Sequence, residues 1–84
     1  MIRELITITE RAGETEYTWY ETIRDAQTDQ EILENFFGEL DLEESKENLR
    51  GGFLTMDWSS FVWVDRRSPI TETEEAVLIK FNII

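Results

Sequence analysis

Cysteine and histidine are both missing from these 84 residues, and proline occurs only once. Without cysteine there is no disulfide framework and no thiolate, so packing alone must hold the chain together, as suits a reducing compartment. Without histidine, a serine nucleophile has no ordinary base, and zinc chemistry is all but removed because its usual ligands are gone. Basic residues are few: eight Lys and Arg against nineteen Asp and Glu, for a net charge of −11 at pH 7. Affinity for phosphate backbones and anionic membranes comes from Lys and Arg, so neither direct nucleic-acid binding nor membrane binding is expected. No apolar run approaches the roughly 18 residues of a transmembrane helix, and Met1 to Arg11 has neither the basic start nor the cleavage site of a secretory signal. The expected location is cytoplasmic.

The chain does carry 40% hydrophobic residues, including three Trp, five Phe and two Tyr, which is too much for a disordered acidic tail. A single folded domain over residues 1–84 is expected, burying about 60 to 65% of the surface its unfolded form exposes.

Two alternating segments open the chain. In Glu4 to Glu10, Ile6 and Ile8 share one face; in Glu14 to Arg24, Tyr17, Trp19 and Ile23 share one face. Ala12-Gly13 supplies the turn, and a two-residue loop there sets Arg11 against Glu14, Ile8 against Tyr17 and Ile6 against Trp19. Thr28-Asp-Gln-Glu31 is a capping box, and Ile32, Leu33, Phe36, Phe37 and Leu40 follow at helical spacing, with Asp29, Glu34 and Asn35 pointing elsewhere. Gly38 ends this helix, or the helix runs one turn further. Asp41 to Arg50 reads as a short second helix or an acidic loop. Phe53 to Met56 and Phe61 to Asp65 are strand-like, separated by Asp57-Trp58-Ser59-Ser60 as a turn or bulge, and Ser68-Pro69 marks another turn. Glu74 to Ile84 alternates again and reads as a last strand. The expected fold is α+β: an antiparallel sheet of four or five strands with one amphipathic helix on one face, in ββαββ-like order, and a candidate second short helix.

Charge is the feature with functional content. Between Asp25 and Glu47 lie nine carboxylates and one basic residue, Lys46. Ordinary solvated faces mix both signs. Carboxylates spaced along a rigid element imitate phosphates and suit a positively charged groove, with electrostatically steered association. The candidate partner-binding residues are Asp29, Glu31, Glu34, Glu39, Asp41, Glu43, Glu44 and Glu47, with Glu14, Glu16 and Glu21 as a second patch. The carboxylates do not make a calcium loop. Counting from Asp41, the sixth position is Lys46 where an EF-hand needs Gly, and the twelfth is Gly52 where it needs Glu. No catalytic, cofactor or metal site is expected, and the protein is read as non-enzymatic. Arg66-Arg67, the basic exception, is expected to pair with carboxylates across the sheet.

Phe61, Val62, Trp63 and Val64 are consecutive and apolar, so this strand presents hydrophobic side chains to both sides of the sheet, while one helix covers one side. Tyr20, Val62, Trp63, Val64 and Ile84 are therefore candidates for a homodimer interface. In composition the chain resembles the broad class of phage and mobile-element proteins that inhibit nucleic-acid-binding enzymes, among them DNA mimics and anti-CRISPR proteins. The likeness covers no alignable motif and transfers no residue roles. It implies an inhibitor or nucleic-acid mimic that occupies a basic surface of a DNA- or RNA-binding partner. The alternative is a small homodimeric assembly module using the apolar sheet face, its acid merely solubilising.

Overall fold

The computed structural model describes residues 3–45 and 51–84, and expectations that fall on residues 46–50 lie outside it. The elements are β1 (Glu4–Ala12), β2 (Thr15–Ile23), α1 (Asp29–Phe37), β3 (Leu40–Asp41), α2 (Leu42–Ser45), β4 (Phe53–Thr55), β5 (Phe61–Pro69) and α3 (Glu72–Lys80). The five strands form one antiparallel sheet in the order β2-β1-β5-β4-β3, so the fold is α+β.

The β1–β2 hairpin closes on Ala12↔Thr15, with Gly13 and Glu14 as its loop. Gly13 takes φ 63° while Glu14 keeps an ordinary φ, the pattern of a type II′ turn, which needs glycine at its first central position. The register is thus two residues beyond the expected one: Ile8 faces Trp19, and Ile6 faces Glu21. Because side chains repeat every two residues, the slip leaves every face as expected. It does move Tyr17 beside Glu10 near the loop, where it is 57% exposed rather than part of the core.

The core lies between this sheet and α1. Ile6, Ile8, Ile23 and Val62 from the strands meet Ile32 and Leu33 from the helix and Leu40 from β3, with Trp19, Phe37, Phe53 and Val64 packed around them. Each fully buried aliphatic side chain contributes about 1.5–3 kcal/mol of transfer free energy. The capping box forms as read: Thr28 Oγ1 accepts from Glu31 N–H at 3.2 Å, and Glu31 Oε1 accepts from Thr28 N–H at 3.0 Å. Gly38, at φ 78°, ends the helix, and Leu40 enters the core from the next strand.

β5 is longer than expected. It continues through Ser68 to Pro69, its last position, where the missing N–H costs no central ladder bond. A bulge interrupts its pairing with β1. Ile8 faces Val64 and Thr7 faces Arg66, leaving Asp65 as the extra residue. Beyond the bulge the alternation is inverted, so Arg67, opposite Ile6, joins the helix-covered face. Phe61 and Trp63 occupy the opposite face, their rings 5.4 Å apart.

The C-terminal segment is a correction. Glu74 to Ile84 is not a strand; α3 occupies most of it. Thr71 and Glu74 form a second reciprocal capping box, at 3.1 and 2.9 Å. Asn82, at φ 55°, ends the helix in a Schellman motif, with Ile83 N–H donating to Leu78 C=O and Asn82 N–H to Ile79 C=O. The alternating Val77, Ile79, Phe81 and Ile83 therefore spread around a helix and are all exposed. The fifth strand is instead the two-residue β3.

Candidate functional site

The acidic segment becomes α1, β3 and α2, one after another. Turning about 100° per residue, α1 directs Glu31 and Glu34 away from the stripe of Ile32, Leu33, Phe36 and Phe37. The same geometry brings Asp29 into line with that stripe, against the expectation that it points elsewhere. Asp29 accepts from Arg67 Nη1 at 2.9 Å, and Arg67 also donates to Glu4 from Nε at 2.7 Å and from Nη2 at 3.1 Å. One guanidinium thus joins the sheet to the start of α1, and Asp29 leaves the set of unopposed carboxylates. The two acidic partners hold Arg67 above its ordinary pKa, the Glu4 hydrogen bond being the main cause.

The remaining candidates keep their charge unopposed. Glu31, Glu34, Glu39, Asp41, Glu43 and Glu44 have no ion-pair partner among the described residues. Glu31, Glu39, Glu43 and Glu44 are exposed. Glu31 is lowered in pKa by the Thr28 amide and hydroxyl of the capping box. Asp41 is lowered by Trp58 Nε1, which donates to it at 2.7 Å, and by the Glu44 amide at 3.2 Å. Asp41 thereby caps α2. Ser45, buried at the end of α2, donates to Asp41 C=O at 2.5 Å and accepts from Leu54 N–H at 3.0 Å, tying this short helix to β4. Glu47 lies outside the described residues.

Two concavities gather these groups. A shallow one of about 480 Å³ is lined by Asp25, Gln27, Glu31, Glu34 and Asn35. A larger groove of about 650 Å³ runs between the end of α1 and the β4–β5 turn, and brings Glu10, Glu39 and Asp57 around Phe36, Phe37 and Met56. Glu10 accepts from the Ser60 hydroxyl at 2.8 Å. Asp57 accepts from the hydroxyls of Ser59 and Thr55 at 2.7 and 2.8 Å and from the Ser59 amide, which together lower its pKa to about 2. Trp58, next in the turn, is exposed and held at φ 58°, a conformation unusual for a bulky residue. Sequence reasoning missed this groove. Asp-Trp-Ser-Ser is a readable turn signature, but nothing local says that the turn comes to lie across from α1. Among the described residues no three Asp or Glu converge on a point that could hold a metal ion.

The hairpin patch is divided between faces. Glu16 lies opposite Arg11 and is exposed, whereas Glu21 lies opposite Ile6 on the core side and is half-buried. The homodimer candidates are divided too. Val62 is 0% exposed and packs in the core, and Val64 packs against it, so neither lies on a free sheet face. Trp63 and Tyr20 are on the opposite face, beside Thr9 and Thr7 respectively, with Tyr20 46% exposed. Thr9 Oγ1 shares a hydrogen bond with Thr18 at 3.0 Å and donates to Asp65, which also accepts from Trp63 Nε1 at 2.5 Å. Ile84 follows α3 and is half-buried.

Comparison of the chain with protein-family models, with curated proteins and with solved structures finds no match.

Proposed function

We propose that this is a non-enzymatic acidic binding protein that occupies a basic, nucleic-acid-binding surface of a partner protein, in the manner of a nucleic-acid mimic. The observation that carries this reading is the run of carboxylates through α1, β3 and α2, from Glu31 to Glu44, with no ion-pair partner among the described residues. Helix and strand backbone sets the spacing of these charges, which lowers the conformational entropy lost when a positive surface meets them. Phe36, Met56 and Trp58, exposed at and beside the acidic groove, supply the apolar anchors that a protein interface needs and a merely solubilising face does not. Charge steers the encounter and sets its register; the anchors slow dissociation.

Capture from extract of the native host at low salt, followed by a salt gradient, identifies the partner. Its affinity is expected to fall steeply with ionic strength, and the captured protein is expected to lose its grip on DNA or RNA when this protein is added. Combined Glu43→Lys and Glu44→Lys substitution is expected to weaken binding by about tenfold or more while leaving the circular dichroism spectrum unchanged. An affinity unchanged from low to high salt rejects the proposal.

A further inference from the structure

The two margins of the sheet differ. One is β3, only two residues long; the other is β2, nine residues from Thr15 to Ile23, paired on one side with β1 and on the other with no strand among the described residues. The two-residue hairpin loop fixes which backbone groups are left over. Ala12 and Thr15 close the loop as a hydrogen-bonded pair, so Thr15, Tyr17, Trp19, Glu21 and Ile23 direct their N–H and C=O groups to β1. Glu16, Thr18, Tyr20 and Thr22 direct theirs outward. Exposed strands of this length are ordinarily blunted by proline, by charge (lysine above all, or a charge turned inward) or by a bulge. β2 has no proline, lysine or bulge, its pairing with β1 runs without interruption, and its charges are Glu16 and the inward, half-buried Glu21. α1 packs chiefly over β5, two strands further in, and meets β2 on its core face, where Phe37 packs edge-on against Trp19. Thr15, Glu16, Tyr17, Thr18 and Tyr20 are all exposed.

We infer that β2 is the site at which a second copy of this chain adds, antiparallel, through the same strand. β2 is complementary to itself. With the two-fold axis at Trp19, Glu16 lies opposite Thr22 of the second copy and Thr18 opposite its Tyr20, so every outward N–H and C=O finds a partner. On the other pleat, Trp19 meets Trp19 and Tyr17 meets Glu21. No carboxylate faces a carboxylate in this register. Tyr20 on one side of the sheet and Tyr17 on the other are exposed in the single chain, and each gains a cross-strand neighbour. The opposing force is the charge of −11 on each copy. Salt screens that repulsion, so association strengthens as ionic strength rises, opposite to the behaviour of the basic-partner site proposed above. The two readings therefore stand or fall separately.

Sedimentation equilibrium on the intact chain from low to high salt, with amide hydrogen exchange followed by NMR, tests the inference. The expected results are a monomer–dimer equilibrium that tightens with salt, and protection of the Glu16, Thr18, Tyr20 and Thr22 amides that grows with protein concentration. Thr18→Pro removes an outward N–H and the hydroxyl contact with Thr9 while keeping the backbone hydrogen bonds of the β1 ladder, and should weaken the dimer by about tenfold. The exchange measurement uses the unaltered chain, so it decides the matter even if that variant fails to fold. A monomer at every salt concentration overturns the inference. So does a dimer in which those four amides stay unprotected, or one that survives Thr18→Pro but is broken by Ile79→Asp, which would place the interface on α3.

Discussion

Gly52 is buried, and a Cβ built on it would overlap the ring of Phe61. The ring also packs against Trp63, so moving it aside disturbs that contact. Gly52→Ala should therefore destabilise the fold by about 1–3 kcal/mol, as overpacking does. Denaturant melts will show it, and Phe61→Leu in the same chain should restore part of the loss. Adjacent Gly51-Gly52 reads in the sequence only as a break. Glycine's other use, close approach, depends on a partner nine residues away and is invisible to any local pattern. Asp29 teaches the opposite lesson. Its place on the α1 wheel was calculable, but a carboxylate in line with an apolar stripe is noticeable only once Arg67 lies beneath it.

α1 and α3 begin with the same device, Thr-x-x-Glu closed into a reciprocal capping box. In α1 the box precedes an apolar stripe that matches the helical period, so the element was legible from its cap onward, with Gly38 as one of two candidate ends. In α3 the box precedes Val77, Ile79, Phe81 and Ile83, whose spacing of two imitates a strand. Local capping, acidic residues at the positive end of the dipole and Lys80 at the negative end prevail over that alternation. Because its apolar residues do not share one face, α3 is anchored largely through Glu75. That carboxylate is 4% exposed, accepts from Arg24 Nη2 at 2.6 Å and has Arg3 Nε at 3.7 Å. A cleft of about 330 Å³ remains between α3 and the sheet, lined by Leu5, Ile70, Val77 and Leu78. Glu75→Gln should thus loosen α3 selectively. The expected readout is faster proteolysis within residues 71–84 and faster amide exchange there, with exchange in the α1–sheet core nearly unchanged. Equal acceleration throughout would show instead that α3 is an integral part of the cooperative unit.

Across the described residues, the carboxylates with shifted pKa all move in one direction. Glu75 is lowered chiefly by its hydrogen bond from Arg24, and Asp41, Glu31 and Asp57 by the donors that surround them. A carboxylate lowered by folding contributes stability that is complete above its unfolded pKa and disappears as pH falls through the folded value. For Asp57 the window runs from 3.8 down to about 2, so the β4–β5 turn keeps its contacts well into acid. Thermal melts against pH should show a decline that sets in below about pH 4.5 and continues to about pH 2. A loss of structure complete by about pH 5 would contradict this assignment. Acid also erases the −11 self-repulsion, the sequence pI being near 4.2, so added salt should raise the melting temperature more at pH 7 than at pH 4. The α+β class and the order of the first elements were legible because apolar period and turn chemistry agree there. The shape of the acidic groove was not, since it is made by long-range placement of the β4–β5 turn.

The Asp65 bulge has a further consequence for how this fold tolerates change. One extra residue inverts the phase of everything after it in β5, and that is why Arg67, not Arg66, reaches Glu4 and Asp29. Were that residue deleted, the bulge would close and Arg67 would stay opposite Ile6; were it kept and paired with Thr7 instead, Arg66 would arrive at that spot. Two consecutive arginines therefore serve as a spare and its counterpart: whichever frame the ladder adopts, a guanidinium is delivered beneath the helix, and a one-codon loss need not unseat it.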